Sequence, residues 1–259
     1  MVTGAGRGIG RAYANDLAAR GAHVIVNDVD DVAGVTHVGD VSDPAQAQAL
    51  LDAAVDEFDH IDVLVNNAGI IQWATMPDVD VDNLAAHLAV HVTATFNTVR
   101  AAWPHMVEQS YGRIVNTTSS GVFGLRGNLG YAAAKGAVIG MTRTLAVEGG
   151  AVGIKVNAIA PAAHTRMAGP RTAQSDFMEP ELVTPIVAYL AHEACPVTGQ
   201  VFSAGAGRFA RLFVGSTIGA VTDDVVRDWD QVNDETGYFV PTDLVDWSGR
   251  FLDHLPPGE

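Results

Sequence analysis

Two residues one helical turn apart carry the most explicit chemistry in this chain. Tyr131 and Lys135 flank Ala132-Ala133-Ala134, in a stretch whose apolar spacing predicts a helix over Tyr131–Glu148. Positions i and i+4 share a helix face. An ammonium beside a phenol favours the phenolate and draws its pKa down from roughly 10, which makes a usable general acid/base. Alone, such a pair is more often chance than a site; a glycine loop elsewhere changes its weight. Thr3-Gly4-Ala5-Gly6-Arg7-Gly8-Ile9-Gly10 lies between a short apolar start and a helix running to Arg20, with Gly21 as its stop. Glycines let a backbone approach a pyrophosphate, and the helix N-terminus supplies N–H groups. Gly4, Arg7, Gly8, Ile9 and Gly10 are therefore candidate dinucleotide contacts. Asp28 ends the next strand and is placed to accept hydrogen bonds from ribose hydroxyls and to repel a 2′-phosphate. That predicts NAD rather than NADP, although Arg7 pulls the other way, since a cation could meet that phosphate.

The elements that must hold these residues alternate strand and helix, which predicts a parallel sheet of βαβ units. Strands are expected at His23–Asp28, Val35–Val38, Ile61–Val65, Arg113–Thr117, Ile154–Ala160 and Val201–Ala204. Asp43 before Pro44 is a helix-start signal for Asp43–Phe58. A long helix is expected over Asp82–Gln109, bent near Pro104, and another over Glu181–Glu193, interrupted early by Pro185. Only Met1-Val2-Thr3 precede the glycine loop, so the first strand is read either as a stub or as cut short by the chosen start. Asp28 and Asp40 are too close for a helical crossover after a strand at Val35–Val38, so a loop or single turn is expected there.

Composition closes off several classes. The 259 residues carry 30 carboxylates against 15 basic groups, a net −15, and only Lys135 and Lys155 are lysines. With no basic run, neither nucleic acid nor an anionic membrane is an expected partner. At 48% hydrophobic and 17% charged the chain is no disordered acidic tail. The single cysteine, Cys195, points to a reducing, cytoplasmic setting, and no apolar run approaches a membrane span. The histidines show no metal-ligand spacing, so no metal is inferred. Ten acidic residues and two arginines fall in Val221–Glu259, a net −8. Trp229, Tyr238, Phe239, Trp247 and Phe251 are interleaved there. The expected division is a nucleotide-binding domain over 1–207 and an acidic C-terminal extension over 208–259 packed on it.

Four motifs in order resemble the short-chain dehydrogenase/reductases: the Thr-Gly-x-x-x-Gly-x-Gly loop, Asn66-Asn67-Ala68-Gly69 after IDVLV, a Ser-rich segment, and Tyr131-x-x-x-Lys135. The resemblance runs from Val2 to about Gly207. It implies a Rossmann-type α/β fold, a doubly wound parallel sheet of about seven strands with helices on both faces. It also implies NAD as cofactor, Tyr131 as acid/base and Lys135 as its tuner and ribose ligand. Asp40-Val41 would cradle adenine, and Asn67, Ala68 and Gly69 would line the cofactor. Thr165, one place early in Pro161-Ala162-Ala163-His164-Thr165, is the candidate for the carboxamide. Met167–Pro180 reads as a short substrate lid. The substrate-holding serine usually lies thirteen residues before the tyrosine, which here is Thr118; reading from the strand gives Ser119 instead. Ser119 is taken, with Ser120 or Thr118 as alternatives.

His91 stands where many members have a relay asparagine. It is either a satisfied core histidine or a relay residue. The Val-His pair, Asn27-Asp28, Arg100-Ala101-Ala102-Trp103 and Val201–Ala220 resemble the D-3-hydroxyacyl-CoA dehydrogenase units of multifunctional β-oxidation enzymes. The reaction implied is NAD-dependent interconversion of a secondary alcohol and a ketone, with a 3-hydroxyacyl thioester as substrate. The alternatives are a steroid- or terpene-type alcohol and a non-catalytic NAD(H)-binding subunit. Pairing through the two long helices into a homodimer or homotetramer is implied as well.

Overall fold

The computed structural model describes residues 1–166, 172–173 and 175–255. It divides into two compact units, Met1–Arg211 and Leu212–Glu259. In the first unit, the helix α1 (Gly8–Ala19) leads to the short parallel pair β1 (Asn27–Asp28) and β2 (His37–Val38). Then come α2 (Pro44–Phe58), β3 (Val63–Asn66), α3 (Val81–Leu88), α4 (Ala94–Glu108), β4 (Gly112–Thr117), α5 (Leu129–Gly150), β5 (Ile154–Ala162), α6 (Thr184–Ala191), β6 (Val201–Gly205) and β7 (Arg208–Leu212). Strands β3 to β7 form one sheet in sequence order, and β3 to β6 pair in parallel. Val2 bridges Val26 on one side and Val65 on the other, both in parallel, so the few residues before the glycine loop do lie between strands. The seventh strand departs from the parallel expectation. Only Ala206-Gly207, both at positive φ, join β6 to β7, and a two-residue connection makes a hairpin.

The sheet is covered on both faces because its strands alternate. Leu64, Ile114 and Val156 enter a core with Leu50 and Leu51 of α2 and Ala102 and Met106 of α4. Val65, Val115 and Ile159 enter a second core with Tyr13 of α1 and Val187 and Leu190 of α6. Adjacent residues on one strand thus face opposite layers, as a doubly wound sheet requires.

Several boundaries moved, each for a local reason. Asp43 caps α2 through the N–H groups of Ala45 and Gln46, with Pro44 in its first turn, as its spacing predicted. The link from β1 to β2 contains no helix, also as expected. Pro104 lies inside α4 and does not end it. The irregularity is a π-helical turn over Ala89–Thr93, closed by the Ala94 N–H on the Ala89 carbonyl. Pro185 does not interrupt a helix but sits in the first turn of α6, where its missing N–H costs nothing. Part of the expected lid, residues 167–171 and 174, lies outside the described residues. Among the described residues no helix is long and apolar enough to cross a membrane.

The second unit carries α7 (Trp229–Val232) and α8 (Leu244–Phe251). Its organisation is aromatic: Phe213 stacks on Tyr238, Trp247 on Phe251, and the Arg250 guanidinium lies over Phe239. Both of its arginines also pair with carboxylates, Arg227 with Asp228 and Arg250 with Asp246.

A buried polar chain ties the carboxyl ends of the central strands to two helices. Asn66 donates to Asn116 at 3.0 Å, Asn116 donates to Thr142 at 3.0 Å, and Thr98 donates to Asn66 at 2.7 Å. Truncating Asn116 to Ala strands two buried partners, a cost of about 1–3 kcal/mol. Asn116→Ala should therefore lower the urea midpoint followed by far-UV circular dichroism. An unchanged midpoint would show that the chain adds nothing.

Candidate active site

The glycine loop is fastened from behind by the loop after β3. Thr3 Oγ1 accepts the N–H groups of Asn67 and Ala68, and Asn67 Nδ2 donates to the carbonyls of Thr3 and Gly4. This close approach is what the glycines permit. A Cβ on Gly10 would lie 2.4 Å from Asn67 Nδ2 and 2.5 Å from the Gly4 carbonyl oxygen, and one on Gly4 would lie 2.6 Å from the Ala68 Cα. Gly8 turns the chain at φ +58, a left-handed conformation that glycine tolerates best. The first turn of α1 then starts with no capping side chain and no acidic residue, leaving its N–H groups open to an anion. Asp28, buried at 8% exposure, accepts from the Gly6 N–H at 2.8 Å and the Asp30 N–H at 3.1 Å. Arg11 braces the same turn from outside by donating to the carbonyls of Ala5, Gly6 and Ala33.

These elements open onto a cleft of about 650 Å³. Gly4, Arg7, Gly8, Ile9, Gly10, Asp28, Asp40, Val41, Asn67, Ala68, Gly69, His91, Tyr131, Lys135 and Thr165 all line it. Sequence motifs spread over 162 positions thus converge on one surface. Asp40 turns back to accept the Ser42 N–H at 2.9 Å. Asn97, buried on α4, donates to the carbonyls of Val41 and Ser42 and fixes that edge. The position of a methyl on Gly8 would lie 3.5 Å from Thr165 Cγ2, so Thr165 sits at the start of α1.

At the other end of the cleft stand Tyr131 and Lys135. Lys135 is 3% exposed, and its Nζ donates to the Thr117 carbonyl at 2.7 Å and lies 5.6 Å from the Tyr131 ring centre. Burial depresses its pKa to about 7, because an ammonium loses its hydration there. The expectation that Lys135 lowers the Tyr131 pKa is not met by the protein's own groups. Burial raises it, and the opposing influence is the Ser119 hydroxyl. The phenol is shielded from water more than it is stabilised as an anion.

Among the three candidate hydroxyls, Ser119 is the one that acts on Tyr131, opposing the rise in its pKa. It also accepts the Gly121 N–H at 3.0 Å. Thr118 Oγ1 is turned inward and donates to the Lys135 carbonyl at 2.7 Å, and Ser120 begins an exposed 3-10 turn.

His91 is presented by the π turn, a feature common at functional sites. Its ring meets the Tyr131 ring edge-on at 5.2 Å. The short contact from Nε2 to the Ile70 carbonyl, 2.8 Å, places the proton on Nε2. Nδ1 is then a buried acceptor with no partner among the described residues. Burial and the nearby Lys135 hold the pKa at about 3, so the imidazole stays neutral near pH 7. A methyl on Gly69 would come within 2.8 Å of its Cε1. His87, one turn earlier, is fully used: Nδ1 donates to the Asn83 carbonyl and Nε2 accepts the Gln72 N–H. Sequence reasoning missed His87, Asn97, Thr3, Arg11 and Asp30. The signal available for Asn97 was a polar residue on the apolar side of a helix.

A glycine loop at a helix start and a half-buried tyrosine beside a buried lysine in one cleft define an oxidoreductase-type nucleotide fold. The family profile described as short chain dehydrogenase matches residues 1–176, and the chain belongs to that family. Peroxisomal multifunctional enzyme type 2 of Mus musculus is 36% identical over 98% of this chain, which spans 39% of that protein. The (2S)-[(R)-hydroxy(phenyl)methyl]succinyl-CoA dehydrogenase subunit BbsD of Thauera aromatica is 33% identical over 83% of this chain and 97% of its own length. The solved structure of full-length peroxisomal multifunctional enzyme type 2 from Drosophila melanogaster aligns with a TM-score of 0.81 at 30% identity, over 97% of this chain and 48% of that one.

The buried ammonium should show in stability. Below pH 7 both folded and unfolded chains carry the Lys135 proton and the burial cost is at full size. Between pH 7 and about 10.5 the unfolded chain binds that proton and the folded chain does not, so stability rises with pH. Lys135→Met should be more stable than the wild type at pH 7, with the gap narrowing by pH 9 in urea unfolding. A constant gap would show that Lys135 keeps an ordinary pKa.

Proposed function

We propose that this chain is an NAD-dependent dehydrogenase that interconverts a secondary alcohol and a ketone, with a 3-hydroxyacyl thioester as its substrate class. The observation that carries the reading is a half-buried Tyr131 on which the Ser119 hydroxyl acts, with the Lys135 ammonium 5.6 Å from its ring centre. Gly4, Gly8, Ile9, Gly10, Asn67, Ala68 and Gly69 would hold the dinucleotide backbone, Asp28 its adenosine ribose, Asp40 and Val41 its adenine, and Thr165 its carboxamide. When bound, the nicotinamide accepts or returns the hydride; the chain's residues handle the proton and the oxygen. Ser119 holds the substrate oxygen by hydrogen bond. In oxidation Tyr131 acts as the phenolate, its own proton having left to solvent, and takes the hydroxyl proton; in reduction the phenol gives that proton back. Lys135, titrating near neutrality, takes a proton on or sheds it. His91 stays neutral throughout, so it serves as an acceptor through Nδ1 and not as an acid.

The thioester reading is supported by the relative whose name makes it a dehydrogenase of a hydroxyl-bearing succinyl-CoA. Four arginines could meet the phosphates of such a thioester: Arg166 lines the cleft, Arg208 and Arg211 lie on β7, and Arg171 is outside the described residues. A hydrophobic alcohol is the second reading, favoured by Trp73 on the segment leading to α3 and by Phe123 and Leu125 on the segment leading to α5, which are 56%, 75% and 60% exposed. Pairing of copies through α4 and α5 belongs to the same proposal. A groove of about 500 Å³ there is lined by Phe96, Trp103 and Met141.

Removing the phenolic hydroxyl should abolish the chemistry and leave the cofactor bound. Tyr131→Phe is expected to lose at least about 10²-fold in kcat with 3-hydroxyacyl-CoA and NAD, read as NADH absorbance, while NADH still titrates by calorimetry. Near-normal turnover would overturn the mechanism. A wild type that binds NADH but is silent across thioesters and secondary alcohols would favour a non-catalytic subunit.

A further inference from the structure

Arg7 is the residue whose presence argues against an NAD preference, and the structure shows what occupies it. Its guanidinium is paired with the Asp30 carboxylate. We propose that Asp30 sets the nucleotide preference of the cleft by holding Arg7, which would otherwise be a ready-made receptor for a ribose 2′-phosphate. The proposal rests on the reading of the cleft as a dinucleotide site.

Four observations carry it. Arg7 and Asp30 both line the cleft beside Asp28, so the pair stands where the nucleotide's second charge would fall. Asp28 is already committed to the Gly6 and Asp30 N–H groups, and the second of these bonds fixes the turn that presents the Asp30 side chain. Arg11, the neighbouring cation, is spent on three backbone carbonyls, which leaves Arg7 as the guanidinium that could turn to an anion there. Finally, the pair is open to water, at 40% and 53% side-chain exposure. A pair this exposed adds little to stability, so its consequence is electrostatic: it cancels the Arg7 charge where Asp28, Asp30 and Asp40 line the cleft. A guanidinium forks onto a phosphate as well as onto a carboxylate, so Asp30 and a 2′-phosphate compete for the same donors.

The test uses the full chain and measures binding of NADH and NADPH by fluorescence titration, which needs no substrate. In Asp30→Asn the ratio of the NADPH Kd to the NADH Kd should fall by about tenfold or more, the scale of one charge-assisted hydrogen bond, and the gain should shrink with added salt. Adding Arg7→Gln should return the ratio to its wild-type value. Asp30→Ser, which removes the carboxylate by a different route, should behave like Asp30→Asn. An unchanged ratio in Asp30→Asn and Asp30→Ser overturns the proposal. So does a gain that survives Arg7→Gln, since Asp30 would then act by its own charge. If the wild type binds neither nucleotide, the dinucleotide reading itself fails, and the proposal with it.

Discussion

A buried ammonium whose hydrogen bond goes to a single carbonyl is the constraint around which this fold is arranged. Lys135 has given up bulk water for the Thr117 carbonyl, and no carboxylate shares its site among the described residues. That bond demands that α5 run past the end of β4 at close range. Thr118, the next residue, repays the contact by donating to the Lys135 carbonyl. The two bonds cross-link strand end and helix, and they decide which hydroxyl remains for the cleft. With Thr118 turned inward, Ser119 is left beside Tyr131. The cost of burying the cation is a depressed pKa, and the same depression brings its titration to neutral pH.

The second organising feature is the fastening of loops to one another through backbone groups. Thr3, Asn67 and Asp28 each use side-chain atoms to hold N–H or carbonyl groups of a neighbouring loop. The cleft is therefore shaped before any ligand enters, which lowers the ordering cost of binding. The π turn at Ala89–Thr93 does the equivalent for the opposite wall. One extra residue per turn rotates His91 toward Tyr131, and Gly69 leaves the room its ring needs. The imidazole is then held by Ile70 on one nitrogen and left with an unspent acceptor on the other.

Much of this was legible in the residues. The glycine loop, Asp28, the Asn-Asn-Ala-Gly run and the Tyr131/Lys135 spacing all sit in local contexts that constrain the backbone strongly, because each must meet a turn, a cap or a helix face. The α2 cap was readable for the same reason. The π turn around His91 was not. A proline marks a missing N–H wherever it occurs, but a π turn is a register change driven by packing on both sides of the helix. Thr118 and Ser119 were likewise inseparable in sequence, since adjacent strand-end residues differ only in which side they face.

The sequence by itself determined the fold class, the family and the set of groups in the cleft, because glycine placement, strand–helix alternation and i, i+4 spacing are local properties. Tertiary structure decided the rest. It raised the Tyr131 pKa where spacing alone argued for lowering, because burial outweighs the opposing Ser119 hydroxyl. It turned Arg7 from an argument for a phosphate into the partner of Asp30. It also made His91 a neutral acceptor. Protonation and pairing depend on desolvation and on neighbours distant in the chain, and only the folded arrangement brings those together.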